Sequence, residues 1–201
     1  MAPDLIRSTY DRRAPWYDAI VRLLSFGGDR EYRRRAVAAL RLQPGQRVLD
    51  VGCGTGLNFR LLSEGVGPSG LVVGTDLSHA MLREAPGDRA SRIQARASQA
   101  LFKPASFDAA LSTYLISTLL GEGVLAPIVE AVRPGGRIVI VDDALPPGWF
   151  IGPGFMLKHL RRRGWPDLRK ETILALQPYV RNLHVSYCHG GMIYIIAGDR
   201  I

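Results

Sequence analysis

The residues best suited to bind a ligand form a glycine-rich segment, residues 50–56, with the sequence Asp-Val-Gly-Cys-Gly-Thr-Gly. A strand pattern, residues 47–49, precedes it, and a helical pattern, residues 57–62, follows it. Glycines at alternate positions allow the backbone to turn sharply and to approach a ligand closely. The free N–H groups of the following helix point at the turn. This arrangement predicts a nucleotide-binding turn; an ordinary chain reversal between strand and helix is the alternative.

An acid ends the next apolar segment, residues 70–75, where Asp76 follows the turn by roughly 20 residues. A carboxylate at the tip of a second parallel strand can accept hydrogen bonds from both hydroxyls of a ribose. The chain contains no G-x-x-x-x-G-K-[ST] loop for binding phosphates. Together these features favour a nucleoside ligand that lacks phosphates.

These segments resemble a known family. Residues 48–56 are similar to the first motif of the Rossmann-like S-adenosylmethionine (SAM)-dependent methyltransferases, Asp76 matches the ribose-binding acid, and residues 133–137 resemble the turn before the fifth strand. The motifs occur in the order of the family and cover nearly the whole chain. The resemblance implies an α/β fold with a doubly wound seven-stranded sheet, mostly parallel with an antiparallel last strand, and N-terminal helices that cover the cofactor. It also implies SAM as cofactor and S-adenosylhomocysteine as product.

The same resemblance implies cofactor-binding residues in the glycine turn, after the second and third strands and at the end of the fourth. They are Asp50, Gly52, Cys53, Gly54, Thr55, Gly56, Asp76, Leu77, Ala97, Ser98, Gln99, Ser112 and Thr113. Many relatives carry an Asp near position 97 that accepts a hydrogen bond from the adenine amino group. Here Ser98, Gln99 or a backbone carbonyl would have to replace it, at a cost of about 1 kcal/mol. Cys53 is expected to be a small apolar filler.

Three tyrosines are candidate catalytic residues. Tyr10 and Tyr17 lie in the N-terminal helices, where they either place hydroxyls near the substrate or belong to the core. Tyr114 follows the fourth strand at the ligand-binding edge of the sheet. Asp142 and Asp143 follow the fifth strand, where they could hold a substrate ammonium, act as a base or cap the next segment.

The remaining elements are predicted to surround this edge. Apolar periodicity indicates a helix over residues 14–25, and a second helix with Asp29 as N-cap turns Arg33, Arg34 and Arg35 to solvent or a partner. Ser78 is the predicted N-cap of a short helix. Residues 168–176 form a late helix, and a hairpin at residues 190–191 joins the last two strands.

Composition limits the protein class. A chain of 201 residues with 47% hydrophobic content supports one domain, with cap helices in residues 1–43 and an irregular substrate- or membrane-facing insertion in residues 144–168. Two cysteines without metal-ligand spacing predict no metal site. The lack of a signal-peptide core or a spanning segment indicates a cytoplasmic protein, with peripheral contact at the inner face of the membrane as a further expectation.

The acceptor is expected to be small or lipid-like. The net charge of +8 suits an anionic lipid, nucleic acid or acidic substrate, or reflects an Arg-rich coding bias. The segment 112–115 is not the Asn-Pro-Pro-Tyr-like tetrapeptide of nucleic-acid amino methyltransferases, so nucleic acid is disfavoured. Residues 10–18, 53–59 and 145–149 are similar to methyltransferases of quinone precursors and lipid headgroups. An amine-bearing phospholipid or betaine-lipid headgroup is the favoured acceptor. The alternatives are a quinone, phenol or soluble metabolite, and a non-catalytic SAM-binding protein; the oligomeric state is left open.

Overall fold

The structure is a computed structural model that describes residues 3–25, 28–87, 90–119, 123–143, 168–188, 191 and 193–201. The predicted insertion at residues 144–168 lies outside the described residues except for its last position, and so does Gly190 of the predicted hairpin.

Seven strands of the described chain form one sheet in the order β3-β2-β1-β4-β5-β7-β6. They are β1 (Arg47–Val51), β2 (Leu71–Asp76), β3 (Ser91–Gln94), β4 (Phe107–Thr113), β5 (Val132–Asp143), β6 (Val180–Cys188) and β7 (Ile193–Arg200). The first five strands pair in parallel, and β7 is antiparallel to both of its neighbours. The predicted fold class, mostly parallel with an antiparallel last strand, is confirmed.

The helices cover both faces of this sheet. They are α1 (Pro3–Arg13), α2 (Tyr17–Leu24), α3 (Asp29–Leu40), α4 (Phe59–Val66), α5 (His79–Glu84), α6 (Ile116–Leu119), α7 (Leu125–Ala131) and α8 (Leu168–Leu176), with 3-10 turns at Ala14–Trp16 and Gln177–Tyr179. Successive side chains of a strand point to opposite faces. Val48 therefore packs with α3 and α4, whereas Leu49 packs with α7 and α8. None of the described helices is long and apolar enough to cross a bilayer.

Two local predictions in α3 are wrong, and both errors concern charged side chains. Asp29 is the first residue of the helix and not its N-cap, which is Gly28. The carboxylate of Asp29 instead accepts a hydrogen bond from Arg33 Nε at 2.8 Å. This ion pair allows Arg33, predicted to face solvent, to be only 6% exposed. Arg34 and Arg35 are exposed, as predicted.

The other capping prediction is confirmed. Ser78 precedes α5 with an extended backbone, and its Oγ accepts a hydrogen bond from Met81 N at 3.1 Å. This bond satisfies one of the free N–H groups at the start of the helix.

The sheet reverses its winding between β1 and β4. From β1 the chain continues to β2 on one side, whereas β4 lies on the other side. In open α/β sheets the crevice beyond the carboxyl ends of two such strands binds ligands. The glycine turn leaves β1 and Tyr114 leaves β4 at this crevice, so the topology brings these predicted site residues to one edge.

The described core predicts that substitution of two helical leucines has different effects on the free energy of unfolding. Leu62 in α4 is fully buried, whereas Leu174 in α8 is 56% exposed. We expect Leu62→Ala to lower the free energy of unfolding by about 2–5 kcal/mol, because it removes buried apolar area and leaves a cavity. Leu174→Ala is the matched control, with an expected change within about 0.5 kcal/mol. Urea denaturation of both variants measures the difference, and equal effects would contradict the described core.

Candidate active site

The glycine turn has the backbone conformation that its sequence predicts. Gly52, Gly54 and Gly56 have φ values of +70°, +54° and +75°. The N–H groups of Gly52 and Cys53 both donate to the carbonyl of Thr75 at 2.8 and 2.9 Å, which ties the turn to β2. A Cβ atom on Gly52 would lie 2.8 Å from Leu115 Cδ2. Glycine therefore lets the side chain of Leu115 pack directly against the backbone of the turn.

Asp76 joins this turn to the end of β2. Its Oδ2 accepts a hydrogen bond from Gly54 N at 2.9 Å, and its Oδ1 accepts one from Ser78 N at 2.8 Å. Burial raises the pKa of Asp76, and the bonds from these backbone N–H groups oppose that rise. A carboxylate offers about four acceptor sites. Asp76 therefore has capacity left for the hydroxyls of a ribose.

A cavity of about 930 Å³, counted with its open mouth, lies beyond the turn. Its walls come from the turn, the ends of β2, β3 and β4, and the N-terminal helices. The lining residues are Arg7, Tyr10, Tyr17, Gly52, Gly54, Thr75, Asp76, Leu77, Ser78, Met81, Ala95, Arg96, Ala97, Ser98, Thr113, Tyr114, Leu115, Leu119 and Val124.

All three predicted catalytic tyrosines line this cavity. The rings of Tyr10 and Tyr17 meet edge to face, with centroids 6.1 Å apart. Burial is the main cause that raises the pKa of Tyr10, Tyr17 and Tyr114 above the ordinary value. Their hydroxyls are therefore protonated at neutral pH and can donate hydrogen bonds, but they are poor bases.

Tyr114 also has an unusual backbone conformation. Its φ is +58°, a left-handed value that is rare for a bulky residue. A hydrogen bond from its N–H to the carbonyl of Val141, 2.8 Å long, holds the chain there. Strain of this kind costs of order 1–3 kcal/mol and tends to occur at functional sites.

Seven of the thirteen predicted cofactor-binding residues line the cavity, and the other six do not. The six are Asp50, Cys53, Thr55, Gly56, Gln99 and Ser112. Most of them support the turn from behind: Cys53 belongs to the buried core, and Ser112 Oγ donates to the carbonyl of Val51 at 3.1 Å. Thr55 Oγ1 donates to Asp18 Oδ1 at 2.5 Å, which connects the turn to α2.

The structure separates the candidates that could replace the missing adenine-binding acid. Ala97 and Ser98 line the cavity. Gln99 is turned away, because its Oε1 accepts a hydrogen bond from Arg96 N at 2.9 Å. Ser98 is thus the predicted side-chain substitute that remains next to the cavity.

A buried polar network lies directly behind the turn. Arg33 Nη1 donates to Asn58 Oδ1 at 2.8 Å and to Thr113 Oγ1 at 3.3 Å. Asn58 Nδ2 in turn donates to both carboxylate oxygens of Asp50, at 3.2 and 3.1 Å. With Asp29 bound to Arg33, the network joins α3, the start of α4 and the ends of β1 and β4.

Two acids at the end of β5 lie near the tyrosines. Asp142 is buried, and its Oδ1 accepts a hydrogen bond from Asp143 N at 3.0 Å. After burial and Asp76, the charges of both acids contribute to the raised pKa of Tyr10, and Asp143 also raises that of Tyr114. A role for these acids as a base or as a site for a substrate ammonium stays a prediction. Within the described residues, no group of three His, Cys, Asp or Glu side chains could hold a metal ion.

The sequence reasoning missed Arg33, Asn58 and Arg7. An Asp followed four residues later by an Arg, as in Asp29 and Arg33, was a readable signal of an ion pair on one helix face. Arg7 precedes Tyr10 by three residues, which places both on one side of α1. The remaining missed residues of the cavity wall carried no distinctive pattern.

Comparison with known proteins agrees with this geometry. Residues 49–140 match the family model described as a methyltransferase domain. Two solved structures share the fold: a SAM-dependent methyltransferase from Aquifex aeolicus has a TM-score of 0.62 and 18% identity, covering 84% of this chain and 89% of that chain. The geranyl diphosphate C-methyltransferase of Streptomyces coelicolor, in complex with Mg²⁺, geranyl diphosphate and S-adenosylhomocysteine, has a TM-score of 0.65 and 15% identity, covering 86% and 79%.

Curated relatives are more similar in sequence. A 2-phytyl-1,4-naphtoquinone methyltransferase of Synechococcus elongatus is 37% identical over 71% of this chain and 65% of its own length. The ubiquinone/menaquinone biosynthesis C-methyltransferase of Syntrophotalea carbinolica is 37% identical over 70% of this chain and 62% of its own length. The demethylmenaquinone methyltransferase of Thermus thermophilus is 34% identical over 67% and 64%. The match thus spans somewhat less than two thirds of these relatives.

The buried carboxyl of Asp50 predicts a pH dependence. Burial raises its pKa from 3.8 to about 7, although Asn58 and Arg33 oppose the rise. Because the fold favours the protonated form, the stability that Asp50 contributes is present at low pH and is lost as pH rises from about 4 through 7. We expect the wild type to lose more stability between pH 5 and pH 8 than Asp50→Asn, as measured by urea denaturation. Glu64→Gln, an exposed control, should behave like the wild type, and an unchanged pH dependence in Asp50→Asn would contradict this assignment.

Proposed function

We propose that this chain, whose residues 49–140 match the methyltransferase domain family, transfers a methyl group from SAM to a reduced quinone or related phenolic ring. The similarity to curated relatives named as quinone methyltransferases carries this proposal. It favours the quinone alternative of the sequence analysis over an amine-bearing lipid headgroup. The cavity supports it, because three tyrosines and several apolar side chains suit a flat ring with polar edges.

The proposed cofactor position follows from the walls of the cavity. The backbone at Gly52 and Gly54 would receive the amino-acid end of SAM, and Asp76 would bind the ribose hydroxyls. Ser98, beside Ala97, would meet the adenine edge. When bound, SAM supplies a methyl group that its sulfonium already activates.

The protein must therefore mainly orient the acceptor and exclude water, which places most of the catalytic effect in proximity and alignment. The hydroxyls of Tyr10 and Tyr114 would donate hydrogen bonds to an acceptor oxygen. A phenolic acceptor also has to lose its proton before its ring carbon attacks. We propose that the carboxylate of Asp143 accepts that proton, because it is less buried than Asp142 and its charge contributes to the raised pKa of both tyrosines.

We include contact with an anionic membrane at the cytoplasmic face in this proposal. The net charge of +8 supports it, since a basic surface is attracted to anionic lipid. Acceptors with hydrocarbon tails would reside in such a membrane.

The acceptor class can be tested with labelled SAM. We expect methyl transfer to a chemically reduced short-chain 1,4-naphthoquinone with an unsubstituted ring position, because the electron-rich ring carbon is then nucleophilic. The oxidised quinone and phosphatidylethanolamine should not accept the methyl group. Transfer to phosphatidylethanolamine alone would contradict the proposal, and SAM binding without transfer to any of these acceptors would support a non-catalytic protein.

The cofactor site can be tested separately by calorimetry with S-adenosylhomocysteine. We expect Asp76→Ala to weaken binding by roughly 10- to 100-fold, because hydrogen bonds to a charged group contribute about 1.5–3 kcal/mol. Glu84→Ala changes an exposed acid on the neighbouring α5 and serves as a control with expected unchanged affinity. Circular dichroism checks that both variants fold. Wild-type affinity in Asp76→Ala would place the ribose elsewhere.

A further inference from the structure

The N-terminal helices expose large apolar side chains. Leu23 is 75% exposed and Trp16 is 70% exposed, the two largest values among the large apolar side chains of the described residues. Arg12, Trp16, Ile20 and Leu23 follow one another at spacings of four, four and three residues, and the backbone is helical at both ends of the 3-10 turn. This spacing places them along one side of α1 and α2. We call these four residues the outer stripe.

The opposite side of the same helices belongs to the active site. Arg7, Tyr10 and Tyr17 line the cavity, and they too are spaced by three and seven residues. The outer stripe is therefore separated from the cavity by one helix, about 10 Å in diameter.

Charges around the outer stripe are distributed unequally. Three acids of these helices bond to neighbouring groups: Asp11 accepts from Ser78 Oγ, Asp18 from Thr55 Oγ1 and Asp29 from Arg33. The exposed basic residues of the three helices are Arg7, Arg12, Arg22, Arg30, Arg34 and Arg35, and the exposed acids are Asp18 and Glu31. Among the residues whose exposure is described, exposed cations on these helices thus outnumber exposed acids by six to two.

We propose that the outer stripe and its arginines dock onto an anionic lipid bilayer beside the cavity. Tryptophan and leucine next to arginines suit the boundary between lipid headgroups and acyl chains. Electrostatics favour this occupant over a second copy of the chain, because two molecules of net charge +8 repel each other. The benefit to catalysis rests on the proposed function: a tailed acceptor could enter the cavity without leaving the membrane.

Flotation with lipid vesicles tests the docking surface directly. We expect the wild type to float with vesicles of phosphatidylglycerol and phosphatidylcholine in equal amounts, but not with phosphatidylcholine alone. The double variant Trp16→Ser/Leu23→Ser should bind the anionic vesicles at least about tenfold more weakly, because its apolar anchors are lost. Leu101→Ser/Leu174→Ser, which changes two exposed leucines elsewhere, is the matched control and should bind like the wild type.

Indifference of the wild type to anionic vesicles, or equal binding by the Trp16/Leu23 double variant, would overturn the proposal. A dimer in light scattering that this variant abolishes would assign the surface to a second copy instead. Methyl transfer to a water-soluble acceptor should be unchanged in the variant, whereas transfer to an acceptor embedded in vesicles should fall. Flotation needs neither SAM nor acceptor, so vesicle binding without any methyl transfer would refute the proposed function and leave the docking surface intact.

Discussion

The buried guanidinium of Arg33 is the interaction on which the geometry of the site depends. It bonds to Asp29 in its own helix, to Asn58 at the start of α4 and to Thr113 at the end of β4. A buried charge is tolerated only when partners satisfy it, and removal of one partner of such a pair typically costs about 3–5 kcal/mol. One side chain therefore connects α3, the segment that follows the glycine turn and the cavity wall at Thr113.

The glycine turn has a second constraint on its opposite side. Asp76 accepts hydrogen bonds from both the turn and the start of α5, so the carboxylate assigned to the ribose also holds the loops around it. The turn is thus held from behind by Asn58 and Asp50 and from the front by Asp76. Such preorganisation limits the rearrangement that the protein must make when a ligand binds.

The two sides of the N-terminal helices have different roles. Their inner side contributes Arg7, Tyr10 and Tyr17 to the cavity wall, and their outer side exposes Trp16 and Leu23 to solvent. Ser78 and Thr55 donate hydrogen bonds to Asp11 and Asp18 of these helices. These bonds attach the helices to the loops around the cavity. The same helices therefore shape the cavity and expose apolar side chains to solvent.

The sequence by itself determined the fold class, the glycine turn, the position of Asp76 and the tyrosines of the cavity. The fold class follows from the resemblance to a known methyltransferase family. The other features follow from local patterns: glycines that permit positive φ, and residues at the ends of parallel strands, which meet at one edge. Only the tertiary structure showed that Arg33 is buried, that Gln99 turns away and that Asp50 supports the turn without lining the cavity. Two of the three partners of Arg33, Asn58 and Thr113, are 25 and 80 residues away in sequence. A polar residue near a helix start looks the same in sequence whether it caps, faces solvent or pairs inside the core, because the distant chain that packs against it decides which of these it does.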